Sequence, residues 1–238
     1  MKNAGLLSPP GLLELLFPPA CAACGSVLPA RAPFCLRCEL AIERLPALRC
    51  LRCAEPGDFS RRICPRCESR PPPFARAFAP FAHQGPIARA VHRFKYEDHP
   101  ELARTLAEQL EIEARAFIKQ APGRVCAVPL HRSRFWQRRY DQAQLLAREL
   151  ARCTQLQQVD ALTRTRHTRR QVGLHEGERE RNVAGAFAVS SEVRDLRLLL
   201  IDDVFTTGAT VRAAASALLE AGAMEVQVLT IARAFAQP

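Results

Sequence analysis

The stretch Leu198–Thr210 reads Leu-Leu-Leu-Ile-Asp-Asp-Val-Phe-Thr-Thr-Gly-Ala-Thr, and it leaves the chain little choice of fold. Four consecutive apolar residues, Leu198 to Ile201, suit a strand covered on both faces, as in a parallel sheet with helices on either side. After Thr210 the apolar period changes. Val211, Ala214, Ala215, Leu218 and Leu219 fall on one face of a helix, and Gly222 supplies its stop. Strand, loop and helix in that order make half of a β-α-β unit, so the expected class is α/β.

The loop between strand and helix has the chemistry of an anion site. Thr206, Thr207, Gly208, Ala209 and Thr210 place hydroxyls and backbone N–H groups at a helix N-terminus, and Gly208 permits close approach of the backbone. Asp202 and Asp203 need a separate task, because carboxylates beside a phosphate cradle repel its ligand. Accepting from vicinal sugar hydroxyls, or holding Mg²⁺, supplies one. Together these groups imply a phosphorylated sugar. An acid pair and a hydroxyl-rich turn that merely cap a helix are the plainer alternative, which leaves the full order of elements without a reason.

The segment resembles the phosphoribosyl pyrophosphate (PRPP) motif of type I phosphoribosyltransferases. The resemblance implies that Asp202 and Asp203 are the catalytic pair facing the ribose hydroxyls and that Thr206 to Thr210 hold the 5′-phosphate. It also implies a type I phosphoribosyltransferase-like parallel sheet flanked by helices.

Upstream, Cys21, Cys24, Cys35 and Cys38 have the spacing C-x₂-C-x₁₀-C-x₂-C, and Cys50, Cys53, Cys64 and Cys67 repeat it. The duplication points to two structural Zn²⁺ sites. Each C-x₂-C turn aims two thiolates at one ion, and two turns close a tetrahedral shell with no open position. Gly25, directly after Cys24, suits such a turn. A disulfide framework needs an oxidising compartment, and Fe–S ligation uses the same residues; the repeated closed shell favours zinc over both. Spacing leaves open whether the turns pair in sequence or interleave. Cys126 and Cys153 stand outside the repeat and are expected as buried small apolar residues.

A module this short is expected to fold only with metal. The prolines at 71–73 are expected to be a hinge between residues 1–70, an N-terminal helix with the double zinc-ribbon module, and residues 74–238, the transferase-like domain. The second part has its own apolar core and no repeat cysteine. Chelation is therefore expected to melt residues 21–67 while sheet and ligand affinity change little.

The chain of 238 residues is 48% hydrophobic, as globular proteins are, and carries a formal charge of +10. Two zinc ions held by eight thiolates lower this by four, to about +6, so a bias toward acidic partners such as nucleic acid survives in weaker form. No apolar run is long enough for a membrane span. Leu6 to Phe17 is apolar but interrupted by Pro9, Pro10, Gly11 and Glu14, which suits a short packed helix better than a signal peptide. The expected location is cytoplasmic.

Phe74–Ala82, Ile87–Phe94 and Glu101–Lys119 read as packing elements, with a satisfied His92 and a solvated Lys95 favoured over the alternative that the two touch ligand. Val125–Leu130 reads as a strand opening onto a basic, aromatic loop, and Asp141 then begins a helix through Leu150. Ligands of open α/β sheets sit at the carboxyl ends of strands, so the loops after Leu130 and Ile201 are expected to meet over one ligand. Val159–Arg164 reads as another strand, followed by an aperiodic polar stretch and a short helix at Glu178–Ala186. The phosphoribosyltransferase resemblance implies that Arg132, Arg138 and Arg139 hold pyrophosphate. It also implies that Arg166 and Arg169 belong to a flexible loop that closes over PRPP. A solvated face for the arginines, with packing roles for Phe135, Trp136 and Tyr140, is the alternative.

In order, the paired cysteine turns, Pro-Pro-Pro-Phe, Phe-Lys-Tyr, Val-Pro-Leu, Tyr-Asp-Gln-Ala and Asp-Asp-Val-x-Thr-Thr-Gly resemble the ComF/GntX family from near Leu12 onward. The resemblance implies a zinc ribbon joined to a phosphoribosyltransferase domain, Mg²⁺–PRPP as ligand, and a role in DNA uptake during natural transformation beside other uptake proteins. A non-catalytic accessory that binds single-stranded DNA is the alternative, favoured by arginines interleaved with aromatics from Arg132 to Tyr140. Two positions depart from the family pattern: Arg139 replaces a glycine and Asp141 an asparagine. Thr206 stands where purine-salvage relatives carry a third acid, which disfavours purine salvage.

Overall fold

The structure, a computed structural model, describes residues 18–29, 32–59, 61–121, 123–131, 139–165 and 185–235. The expected helix at Leu6–Phe17, Arg132, Arg138, Arg166, Arg169 and most of Glu178–Ala186 lie outside these residues.

Each cysteine quartet opens with a turn and closes on a short helix. The Gly25 N–H donates to the Cys21 carbonyl with Gly25 at φ +74°, and the Ala54 N–H donates to the Cys50 carbonyl with Ala54 at φ +58°. Cys35 and Cys64 then precede α1 (Leu36–Leu40) and α2 (Pro65–Ser69), which carry Cys38 and Cys67. The sulfurs of Cys21, Cys24, Cys35 and Cys38 lie within 4.8 Å of one another, as do those of Cys50, Cys53, Cys64 and Cys67, so the turns pair in sequence. Cys24 and Cys35 bring their sulfurs to 3.8 Å, and Cys53 and Cys64 to 3.6 Å. A tetrahedron with Zn–S of about 2.3 Å has edges of about 3.8 Å, so both quartets fit Zn²⁺.

The rest of the chain runs β1 (Arg76–Phe78), β2 (Phe81–Ala82), α3 (Gly85–Tyr96), α4 (Leu102–Glu113), α5 (Arg115–Ile118), β3 (Arg124–Ala127), α6 (Gln142–Thr154), β4 (Gln157–Gln158), β5 (Leu162–Arg164), β6 (Phe187–Val189), β7 (Arg197–Phe205), α7 (Ala209–Glu220) and β8 (Glu225–Arg233). The main sheet has the order β1-β8-β7-β3-β4, all parallel, with β2 also on β8. Pro80 splits what would be a single edge strand into β1 and β2, since it has no N–H to give a ladder.

Two expected elements differ in extent. The helical pattern at 101–119 breaks at Ala114 into α4 and α5, and Phe117 then stacks on Phe78 with ring centroids 5.2 Å apart. The strand expected over Val159–Arg164 narrows to β5, which pairs antiparallel with β6 outside the main sheet. Cys126 is buried as expected, but Cys153 is exposed: it lies in the last turn of α6, among the charges of Glu108, Arg152 and Glu149.

Two-sided burial of β7 sorts the core. Leu199 and Ile201 face one layer with Phe94, Leu106, Leu146 and Leu150, while Leu198 and Leu200 face the other with Phe74, Phe205, Val211 and Leu218. The ribbons take part in both layers: Cys21, Phe34 and Cys38 belong to the first, and Cys50, Cys53, Cys64 and Cys67 to the second. Directly after the prolines Phe74 is fully buried, its carbonyl accepting from Arg52 and its ring edge-on to Phe205 at 6.3 Å. The ribbon surface is therefore continuous with the sheet's core. Metal loss should loosen both, contrary to the independence expected from composition.

Candidate functional site

At the carboxyl end of β7 the apolar run gives way to Asp202 and Asp203, and α7 begins four residues after Phe205, at Ala209. Gly208 precedes the helix at φ +80°, a left-handed conformation that favours glycine, and it has no side chain to cap the helix, whose first N–H, at Ala209, donates to the Thr207 hydroxyl at 3.4 Å. A Cβ at Gly208 would lie 2.6 Å from Cζ of Phe205, so the loop lies directly on that ring. The helix stop is at Gly222, φ +98°, whose N–H returns to the Leu219 carbonyl.

These groups line a cleft of about 1120 Å³ together with Val128, Pro129 and Leu130, so the loops after β3 and β7 do meet over one space. Asp202, Asp203, Thr206, Gly208 and Thr210 all face it, and so does Arg139. Ala209 is buried at the base of the helix, and Thr207 turns its carbonyl away toward the second ribbon, where Arg66 donates to it at 2.9 Å.

The two acids occupy different electrostatic settings. Asp203 holds the Lys95 ammonium at 2.8 Å, with both side chains about one-sixth exposed. Asp202 accepts from the Asp203 N–H at 2.9 Å, yet burial, reinforced by the charge of Asp203, pushes its carboxyl up to about 7. Lys95 and Arg164 pull in the opposite direction without cancelling this. Asp202 is therefore the acid of the two that holds a proton most readily, and an arriving cation would favour its release.

Lys95 is the residue that sequence reading ranked wrongly, with ligand contact only the second choice. It was expected in solvent, whereas α3 delivers it to the acid pair. Its neighbours Phe94 and Tyr96 carry the only local signal: Phe94 is buried and Tyr96 exposed, which leaves Lys95 on the boundary of the helix's apolar face. His92 and Tyr96 also line the cleft, their rings 5.0 Å apart.

Both departures from the family pattern have structural counterparts. Arg139 adopts φ +65°, so the family's glycine matches a left-handed position, and its guanidinium bonds Asp98 at 2.8 Å. Asp141 caps α6 by accepting from the Gln144 N–H at 3.1 Å, and its other oxygen accepts from the Leu130 N–H at 2.6 Å. It thereby fixes the β3 loop to the helix start. Tyr140 packs on Phe94, with centroids 5.9 Å apart, and donates to the Phe94 carbonyl, so its role is packing.

A parallel sheet whose central strand ends in an acid pair, a left-handed glycine and an open helix start defines a phosphoribosyltransferase domain. A phosphoribosyl transferase domain model matches residues 142–237, and a double zinc ribbon domain model matches residues 12–68. The chain belongs to the family of DNA utilization protein YhgH and competence protein F, the ComF family. It is 35% identical over 189 residues to DNA utilization protein YhgH of Escherichia coli K12, covering 77% of this chain and 83% of that one. The YhgH of Salmonella typhimurium LT2 is 34% identical over 206 residues, 84% of this chain and 89% of its own. Competence protein F of Haemophilus influenzae is 29% identical over 223 residues, 90% of this chain and 96% of its own. Among solved structures, an allosteric regulatory enzyme of purine biosynthesis matches 58% of this chain and 29% of its own, with 22% identity and a TM-score of 0.41, too distant to add to the argument. Among the described residues no helix is long and apolar enough to cross a membrane.

Proposed function

We propose that the cleft binds Mg²⁺–PRPP and transfers its phosphoribosyl group to an acceptor, releasing pyrophosphate. The observation that carries this reading is the succession of a half-buried acid pair, the left-handed Gly208 and the start of α7 along one wall of one cleft. Asp202 and Asp203 accept from the two ribose hydroxyls. Thr206, Thr207, Gly208, Ala209 and Thr210 hold the 5′-phosphate through hydroxyls and N–H groups. Lys95 and Arg139, with Arg132, Arg138, Arg166 and Arg169, serve the pyrophosphate. Mg²⁺, when bound with PRPP, neutralises the leaving group beside the acids. The protein's own share of the work is positioning and charge stabilisation of an oxocarbenium-like centre.

The division into residues 1–70 and 74–238, a cytoplasmic location and a role in DNA uptake beside other uptake proteins belong to the same reading. The names of the relatives, DNA utilization protein and competence protein, support the DNA role. Binding of single-stranded DNA without turnover is the second reading, and the His92–Tyr96 pair on the cleft, with the positive charge of the chain, favours it. Calorimetry with Mg²⁺–PRPP on the wild-type protein and on an Asp202→Ala/Asp203→Ala variant tests the first. Heat that disappears in the variant supports it, and no heat from the wild type ends it. Labelled single-stranded DNA that competes with PRPP would place both ligands on one surface.

A further inference from the structure

The second zinc ribbon touches the phosphate loop directly at one point and the end of β8 beside it at another. From α2, between the ligands Cys64 and Cys67, Arg66 donates from Nη2 to the Thr207 carbonyl at 2.9 Å, 141 residues away in sequence. From the Cys50–Cys53 turn, Glu55 accepts from Arg233 Nε at 3.1 Å, 178 residues away. Arg233 in turn lies over the Phe205 ring, 4.9 Å from its centroid, and Phe205 is the ring on which Gly208 rests. The loop is thus held by a carbonyl bond on one side and floored by a clamped aromatic ring on the other.

The backbone of the ribbon leaves these two side chains little freedom. The Cys50 N–H donates to the Glu55 carbonyl at 2.7 Å, closing the turn that carries Glu55. The Cys64 N–H points to the Cys50 sulfur at 3.2 Å, which ties the start of α2 to the same turn. With four thiolates on one ion, the position of Arg66 relative to Glu55 is set by the metal shell. A bond to the Thr207 carbonyl fixes the peptide plane between Thr207 and Gly208, and with it the direction of the Gly208 N–H. That N–H is one of the donors a phosphate at this helix start would use.

We propose that Arg66 is a positioning residue for the 5′-phosphate loop, through which the second zinc ribbon sets affinity for phosphorylated ribose. The proposal rests on the functional reading above and adds to it a role for a residue outside the transferase-like domain. Arg66 acts through the backbone and touches no ligand itself.

The test uses the full-length zinc-loaded protein with ribose 5-phosphate and with pyrophosphate as separate calorimetric probes. Arg66→Met keeps the aliphatic stem and removes every side-chain donor, and Arg66→Lys keeps an ammonium that can donate. Zinc content and melting temperature are recorded for each. Ribose 5-phosphate affinity should fall about tenfold in Arg66→Met, which is about 1.4 kcal/mol. Arg66→Lys should recover part of it, while pyrophosphate affinity stays within twofold of wild type in both. Ribose 5-phosphate affinity within twofold of wild type in Arg66→Met would overturn the proposal. So would an equal loss of both ligands, which marks general damage to the cleft. A wild-type protein that binds neither probe would instead defeat the functional reading, and the wild-type measurement alone separates that failure from the others.

Discussion

Replacing Gly208 by alanine should damage the phosphate loop in two separable ways. Any L-residue at φ +80° carries left-handed strain, on the order of 1–2 kcal/mol. The new methyl would also lie 2.6 and 2.8 Å from two carbons of the Phe205 ring, closer than such atoms approach, and overpacking of that kind costs about 1–3 kcal/mol. The ring has little room to yield, since Phe74 packs edge-on to it and the Arg233 guanidinium covers it. A total near 3 kcal/mol corresponds to a drop in Tm of roughly 6–12 °C for a chain of this size. Scanning calorimetry measures it, and ribose 5-phosphate titration should show at least a tenfold weaker complex. In a Phe205→Leu background, Gly208→Ala should no longer carry the clash with the ring, so its cost relative to Phe205→Leu alone should fall to the strain. A single variant whose Tm stays within 2 °C of wild type would refute the claim that the loop rests on that ring.

Other outcomes can be measured in the same way. Asp202 has its carboxyl raised to about 7 in the fold, so the folded state keeps a proton that the unfolded chain releases above its ordinary 3.8. That contribution to stability is complete below about pH 4 and is lost as pH rises from there through 7; Asp202→Asn should melt close to wild type at pH 4 and above it at pH 8, and equal melting at pH 8 would exclude the shift. Arg139→Gly relieves a φ of +65° at the expense of an exposed pair with Asp98, so a gain of up to about 1 kcal/mol is expected, and a lower Tm would show that the pair matters more than the strain. Native mass spectrometry should find two zinc ions per chain, one for each quartet, and their removal should lower protection of β7 amides in hydrogen exchange as well as unfolding the ribbons. Unchanged β7 protection would restore the independence of the two parts.

What could be read from the chain depended on the range of the interaction. The α/β class and the β7–α7 unit were legible because Leu198–Ile201 and Val211–Leu219 announce their periods locally. The cysteine quartets were legible as zinc ligands for the same reason, and only their pairing needed three dimensions. Lys95, Arg66 and Glu55 were not, because their partners lie 108, 141 and 178 residues away and a polar side chain carries no mark of whom it will meet. Cys153 misled by arithmetic: three residues after buried Leu150 it falls on the right side of α6, but in the final turn, beside charged neighbours. Arg139 lay between these cases. The departure from the family's glycine was visible in the sequence, whereas the left-handed φ of +65° behind it was not.

The order of strands in the sheet bears on how the protein is made. Strand β8 lies between β1 and β7, and among the described residues β1 pairs with no other strand of the sheet. Arg76 on β1 meets Gln227 on β8 across 151 residues of chain. At a synthesis rate of about 5–20 residues per second, roughly 8–30 s pass between the two strands leaving the ribosome. Throughout that interval β1 is an open edge, and the apolar faces of β3 and β7 wait for the strand that completes the layer. Both cysteine quartets, by contrast, are fully synthesised before β1 appears. Zinc can therefore be taken up before the sheet exists. The nascent chain then carries a finished, metal-locked wall against which the later strands assemble, and scarcity of zinc would be felt first as aggregation of newborn chains.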